Sequence, residues 1–162
     1  MTCTIVSNGK ELEGLSLPAQ KKLEEKMTEN LFHIIRDLLT EGCNVFFTNS
    51  ERGIPLWAAR MVQLFIEKHF FAEGNCIYQY VVAPYEEQAA GWSEWWREKY
   101  FRAHEHANVV AFISKQYQEG CYDEADKVMI DNSDILLVFG KPEDNLFAVK
   151  YAESCGKEVR FI

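Results

Sequence analysis

The sequence predicts an α/β fold, a three-layer Rossmann-like domain with a largely parallel sheet of about six strands. Two observations carry the prediction. Short β-leaning runs alternate with helix-patterned stretches from end to end, joined by short connections, the order that right-handed βαβ crossovers produce. The runs in Cys76 to Ala83 and Asp134 to Gly140 are nearly continuous in apolar residues, as suits strands covered on both faces.

The first strand, Cys3 to Ser7, ends at the turn signal Asn8-Gly9. A loop over Gly14 to Pro18 places proline in the first turn of a helix. Leu23, Met27, Leu31, Ile34, Ile35 and Leu38 then recur at helical spacing, with Lys21, Lys22, Glu24 and Glu25 opposite and Gly42 as the stop. Val45 to Thr48 is the second strand. A polar loop with one glycine, Gly53, leads to a helix from Pro55 to about His69, buried through Leu56, Ala59, Val62, Gln63, Ile66 and Phe70.

Gly74-Asn75 breaks the chain before the third strand, which Pro84 ends. A helix over about Tyr85 to His106 sets Gln88, Trp92, Trp95, Trp96 and Tyr100 three and four apart, a core stripe. Adjacent Trp95 and Trp96 cannot both face inward, which leaves one for a possible homodimer face or a pocket. Asn108 to Ser114 is the fourth strand. A short helix over about Tyr122 to Ile130 carries Asp123, Glu124 and Asp126 in its first turn, as the helix dipole prefers. The fifth strand, Asp134 to Gly140, precedes a helix opened by Pro142 with Leu146, Val149 and Ala152 inward; Glu158 to Ile162 is the last strand. Without a repeat, a low-complexity tract or a linker, residues 1–162 are expected to form a single domain.

Composition narrows the function classes. Hydrophobic content of 48% excludes a disordered chain. No apolar run approaches the roughly 18 residues of a membrane span, and Met1 to Gly9 lacks the basic and long apolar regions of a secretory leader. The net charge of −8, from 17 basic and 25 acidic residues, repels nucleic acid and makes it an unlikely partner. Five dispersed cysteines, Cys3, Cys43, Cys76, Cys121 and Cys155, form no C-x-x-C pair, as expected of free thiols in a reducing cytoplasm. His104 and His106 lie two apart, on different sides of a helix, so no metal site is expected. No nucleophile elbow is present, and no cofactor is implied.

In sheets of this kind ligands bind outside the carboxyl ends of the strands. Those ends are Ser7-Asn8-Gly9, Thr48-Asn49-Ser50 with Gly53, Pro84-Tyr85, Ser114 and Gly140. Their hydroxyls, amides and glycines suit a polar ligand such as a nucleotide, and a strand, a glycine turn and a helix start together form a basic nucleotide-site unit. The same polarity is common to loops that bind nothing.

Three segments carry a family resemblance. Gly53-Ile54-Pro55-Leu56-Trp57-Ala58-Ala59 resembles the Gly-x-Asp-Leu-Trp-Ala-Ala element of YpsA-like domains in the SLOG superfamily, Rossmann-like relatives of DprA and the LOG phosphoribohydrolases. Ala83-Pro84-Tyr85-Glu86-Glu87-Gln88 with Trp92 resembles the segment after that family's third strand. Met129-Ile130-Asp131-Asn132-Ser133-Asp134 resembles its Met-Ile-Asp-x-Ser-Asp element. The resemblance implies binding of a nucleotide or nucleotide derivative, as sensor or regulator, at Ser7, Gly53, Pro84, Tyr85 and Gln88. Asp131, Ser133 and Asp134 match as well, but at the start of strand five they suit a bracing role.

With the strand ends, the candidate ligand-binding set is Ser7, Lys10, Asn49, Ser50, Gly53, Pro84, Tyr85, Gln88 and Gly140. The departures are specific. Ser7-Asn8-Gly9-Lys10 replaces the family's Thr-Gly-His-Arg, Pro55 replaces its aspartate, and Gly140-Lys141-Pro142-Glu143-Asp144-Asn145 replaces a glycine-rich phosphate loop with acidic residues. The LOG signature with its catalytic glutamate is missing. A nucleoside-phosphate hydrolase or transferase would need an acid or base from Asp131, Asp134, Glu86 or Glu87, and a degenerate fold kept for protein contacts is the third alternative.

Overall fold

The computed structural model describes residues 1–70 and 74–162. Strands β1 (Thr2–Ser7), β2 (Val45–Thr48), β3 (Tyr78–Tyr85), β4 (Val109–Ser114), β5 (Ile135–Phe139) and β6 (Glu158–Phe161) form one sheet in the order β4-β3-β2-β1-β5-β6. Every neighbouring pair is parallel. The chain winds outward from β1 to β4, then returns to place β5 on the other side of β1. That reversal between β1 and β5 opens a crevice at the carboxyl ends of the strands.

Helices α1 (Leu17–Thr40), α2 (Ile54–Glu67), α3 (Glu94–His106), α4 (Cys121–Asp131) and α5 (Leu146–Ser154) cover both faces. Strand alternation decides which residue meets which layer. Cys3, Ile5, Phe46, Ile135 and Leu137 pack with Leu31 and Ile35 of α1, Trp57 and Val62 of α2, and Trp96 and Tyr100 of α3. Val6, Leu136 and Val138 face Ile130 of α4 and Ala148, Val149 and Ala152 of α5, while Phe47 and Val82 face Ala125 and Met129 of α4. No helix among the described residues is long and apolar enough to cross a membrane.

Several boundaries differ from the sequence-based expectation, each for a local reason. Pro84 lies inside β3, which continues to Tyr85. Pairing with β2 stops at Val81, so proline sits where β4 alone runs alongside. Glu86 to Trp92 forms successive turns instead of helix, with Ala90 N donating to Glu87 O and Trp92 N to Ala89 O. α3 begins only at Glu94, after Ser93 in an extended N-cap conformation. Pro142 opens a separate 3₁₀ turn, Pro142–Asn145, and α5 starts at Leu146. Leu146 therefore points outward, and Ala148 joins Val149 and Ala152 on the buried side. Toward the end of α2 the buried aromatic is Phe65, stacked on Phe32 at 4.8 Å; Phe70 lies beyond the helix and is exposed. Trp92 and Trp95 are half-buried and, with buried Trp96, all pack against the α1–α3 core. Cys3, Cys43 and Cys121 are buried, whereas Cys76 and Cys155 are exposed.

Candidate functional site

The crevice at the β1/β5 reversal is a cleft of about 750 Å³. Its floor is made by the ends of β1 and β2, Ser7 and Asn49. One wall is the loop after β1 with Lys10, Leu12 and Glu13; the other is the start of α4, Tyr122, Asp123 and Asp126, together with Asp144 to Ala148.

Two matching turns build the floor. After β1, Asn8 Oδ1 accepts from Lys10 N at 3.0 Å, and Ser7 Oγ accepts from Gly9 N at 3.2 Å. After β2, Asn49 Oδ1 accepts from Glu51 N at 3.0 Å. Each side chain replaces a backbone partner that the ended ladder no longer supplies. The first turn runs into a 3₁₀ helix, Lys10–Leu12, which aims Glu11 across at α2. Glu11 Oε2 accepts from Ser7 Oγ at 2.7 Å, and Oε1 accepts from Ile54 N at 3.0 Å. A carboxylate of the chain itself thus caps α2.

Behind the floor lies a second network. Ser50 Oγ donates to Gln88 Oε1 at 3.1 Å and faces His104 Nε2 at 3.1 Å, while Gln88 Nε2 donates to Asn49 O at 3.4 Å. Ser50 and Gln88 are buried, so this network holds the β2 loop from behind instead of facing the cleft. Burial pushes the His104 imidazole down to about 4.

Acidic groups dominate the walls. Glu13, Glu51, Asp123, Asp126 and Asp144 line the cleft against two cations, Lys10 and Arg52. Lys10 is ion-paired to Asp144, a bond that raises its pKa. Arg52 lies over the Trp92 ring, 5.2 Å from its centre, and 3.7 Å from Glu51 Oε1. Tyr122 donates to Glu51 Oε2 at 2.5 Å; burial, with Glu51 beside it, raises the phenol. Asp126 is half-buried, but its Oδ1 is shut off from solvent and has no hydrogen-bond partner among the described residues. Burial and then the charge of Asp123 push its carboxyl up to about 7. A carboxyl at that value holds or releases a proton near neutrality.

Of the residues expected from sequence, Ser7, Lys10 and Asn49 line the cleft. Gly53 lies beneath Glu11, and Ser50 and Gln88 form the buried support. Pro84 is inside β3, and Tyr85 packs edge-on against Tyr117 and Tyr122 beyond the cleft. Gly140 turns the chain after β5 with φ 101°, next to Asn145, whose Nδ2 donates to Phe139 O. Glu86 and Glu87 are exposed and outside the cleft. Asp131, Ser133 and Asp134 sit at the opposite, amino ends of the central strands: Ser133 Oγ lies 2.6 Å from Thr4 Oγ1, Asp134 accepts from Thr2 N and Oγ1, and Tyr151 donates to Asp131. Their bonds are those of braces.

The sequence reading missed Glu11, Glu51, Tyr122, Asp126 and Asp144. A signal existed for Asp126, one turn after Asp123 on a helix that follows a strand end; none existed for Glu11, whose partner Ile54 is distant in sequence.

Comparison with known proteins gives a consistent picture. A family model, YpsA (YspA SLOG family), matches residues 18–157. A UPF0398 protein of Lysinibacillus sphaericus is 30% identical over 120 residues, covering 72% of this chain and 63% of its own. UPF0398 proteins of Staphylococcus aureus are 28% identical over 118 residues, covering 69% of this chain and 59% of theirs. The match thus spans about three fifths of these curated relatives. Among solved structures, TM1055, a structural-genomics target, aligns with TM-score 0.57 and 15% identity over 98% of this chain and 71% of its own. DNA processing protein A of Helicobacter pylori, solved for its single-stranded DNA binding mode, aligns with TM-score 0.59 and 11% identity over 99% of this chain and 64% of its own. Both share the Rossmann-like fold.

Proposed function

We infer that this chain, which belongs to the YspA SLOG family, is a binding module for a nucleotide or nucleotide-derived ligand and acts as a sensor or regulator. The observation that carries the reading is the cleft of about 750 Å³ at the β1/β5 reversal, floored by Ser7 and Asn49. Its place is where open α/β sheets take ligands, and its volume lies in the range of small-molecule sites. Calorimetry and thermal shift with nucleosides, nucleotides and dinucleotides test it. At least one compound is expected to bind, and Asn49→Ala to weaken it. No heat and no shift at millimolar concentration removes the reading.

Single-stranded DNA is the ligand of the Helicobacter pylori neighbour. The net charge of −8 and the acidic walls oppose it here, and an oligonucleotide in the same panel checks the point.

One observation favours a second reading, hydrolysis or group transfer on a nucleoside phosphate: the Asp126 carboxyl at about 7 inside the cleft. Product analysis after incubation with nucleoside monophosphates, for wild type and Asp126→Asn, decides it. Identical, product-free traces leave binding alone.

A further inference from the structure

We propose that the cleft takes the nucleoside part of its ligand and rejects phosphate, because the Glu11 carboxylate already occupies the anion position at the start of α2. The proposal rests on the cleft being the site of a nucleotide-derived ligand.

A strand, a glycine turn and a helix start present amide donors and a positive dipole end, which attract an anion. Here both features are in use. Ile54 N donates to Glu11 Oε1 at 3.0 Å, and Pro55, next in the helix, has no N–H to offer. Glu11 Oε2 takes the Ser7 hydroxyl at 2.7 Å, so the polar group at the end of β1 is committed too. The carboxylate lies where a side chain on residue 53 would be: a Cβ there collides with Glu11 Oε1, and the backbone stands at φ 88°. Glycine at this position admits the close approach. A phosphate entering from solvent must displace an anion tethered to the same chain, which competes at high effective concentration.

The remaining cations do not compensate. Lys10 is paired with Asp144, and Arg52 stands between the Trp92 face and Glu51. A second negative group would enter a cleft that already carries more carboxylates than cations.

What the walls do offer is acceptors and an aromatic face. Asp126 lines the cleft, and its Oδ1, shut off from solvent, has no hydrogen-bond partner among the described residues; a carboxyl with such a deficit gains from a donor that a ligand brings to it. Ribose hydroxyls and base amino groups are donors of that kind. On the same wall Phe147, 39% exposed and parallel to Tyr151 behind it, offers a surface on which a base can stack.

The test titrates adenosine, guanosine, cytidine and uridine and their 5′-monophosphates by calorimetry at low ionic strength, against wild type, Glu11→Gln and Asp144→Asn. Glu11→Gln keeps an acceptor for Ile54 N and removes the charge; Asp144→Asn leaves Glu11 in place and frees Lys10. At least one nucleoside is expected to bind, with its monophosphate weaker by about tenfold or more. That gap narrows in each variant that retains the wild-type circular dichroism spectrum. A monophosphate that binds wild type as tightly as its nucleoside overturns the proposal and leaves the binding reading standing. A gap unchanged in the folded variants overturns it as well. Silence from every compound overturns the binding reading and the proposal with it.

Discussion

His104 holds Ser50 from behind, Nε2 standing 3.1 Å from an Oγ whose residue is buried with φ 54°. A non-glycine residue in the left-handed region is strained and persists only where its surroundings fix it. The imidazole that helps fix it packs against Tyr100, ring centres 4.0 Å apart, and against Phe112 at 5.7 Å. The folded state therefore favours the neutral ring, at about 4, while the unfolded chain takes up a proton near 6.5. The His104 contribution is complete above pH 6.5 and is lost as pH falls toward 4. Urea midpoints are expected to drop across that window, and His104→Gln to flatten the drop.

Asp126 acts with the opposite sign. Its carboxyl ionises near 3.8 in the unfolded chain and at about 7 in the fold, so its contribution falls as pH rises between those values. Asp126→Asn is expected to stabilise the protein at pH 8 by about 1 to 2 kcal/mol and to weaken ligand binding. Because the His104 and Asp126 windows overlap, the His104 profile is cleanest in the Asp126→Asn background.

Gly53→Ala meets two obstacles, the backbone at φ 88°, ψ −134° and the Glu11 carboxylate in the space of its Cβ. A loss of about 1 to 3 kcal/mol in urea denaturation is expected. Glu11→Ala in the same chain relieves the collision but not the backbone strain. A double-mutant cycle is therefore expected to show coupling between the sites without full recovery.

At the amino ends of the central strands, Asp134 accepts from Thr2 N at 2.8 Å and from Thr2 Oγ1 at 3.0 Å. The Thr2 backbone bond, first, and its hydroxyl hold the carboxyl below its usual value. Its stabilisation is present above pH 3.8 and fades as pH falls further. Asp134→Ala is expected to cost about 1 kcal/mol near neutrality while the ligand affinity stays at the wild-type value, which separates a brace from a binding group.

The architecture was legible because periodicity is local: all six strands lie where continuous apolar runs or β-leaning stretches place them. What failed was finer punctuation. Pro84 read as a stop, yet a strand tolerates proline where the ladder on one side has ended. The tryptophan spacing predicts a helix from Tyr85, whereas α3 starts at Glu94 behind Ser93 as its N-cap. For the cleft, strand ends supplied Ser7, Lys10 and Asn49, since a parallel sheet gathers its carboxyl ends at one edge. Glu11 and Glu51 escaped because their partners, Ile54 and Tyr122, are brought to them only by the fold. Even the matched glycine changed meaning. Gly53 makes room for Glu11, a contact that no spacing along the chain announces.

The strand order has a consequence in time. The Thr2–Asp134 clasp joins residues 132 positions apart, so β1 is flanked by β2 early while its other edge waits for β5. Closing so long a loop is slow, and until it closes β1 presents an open hydrogen-bonding edge. The cleft spans that step: Ser7, Asn49 and Asp126 belong to β1, the end of β2 and a helix packed on β2 and β3, whereas Asp144 follows β5. A ligand bound between them would recognise only the finished chain and would stabilise it by mass action against global unfolding. Occupancy of the cleft would then read out complete assembly.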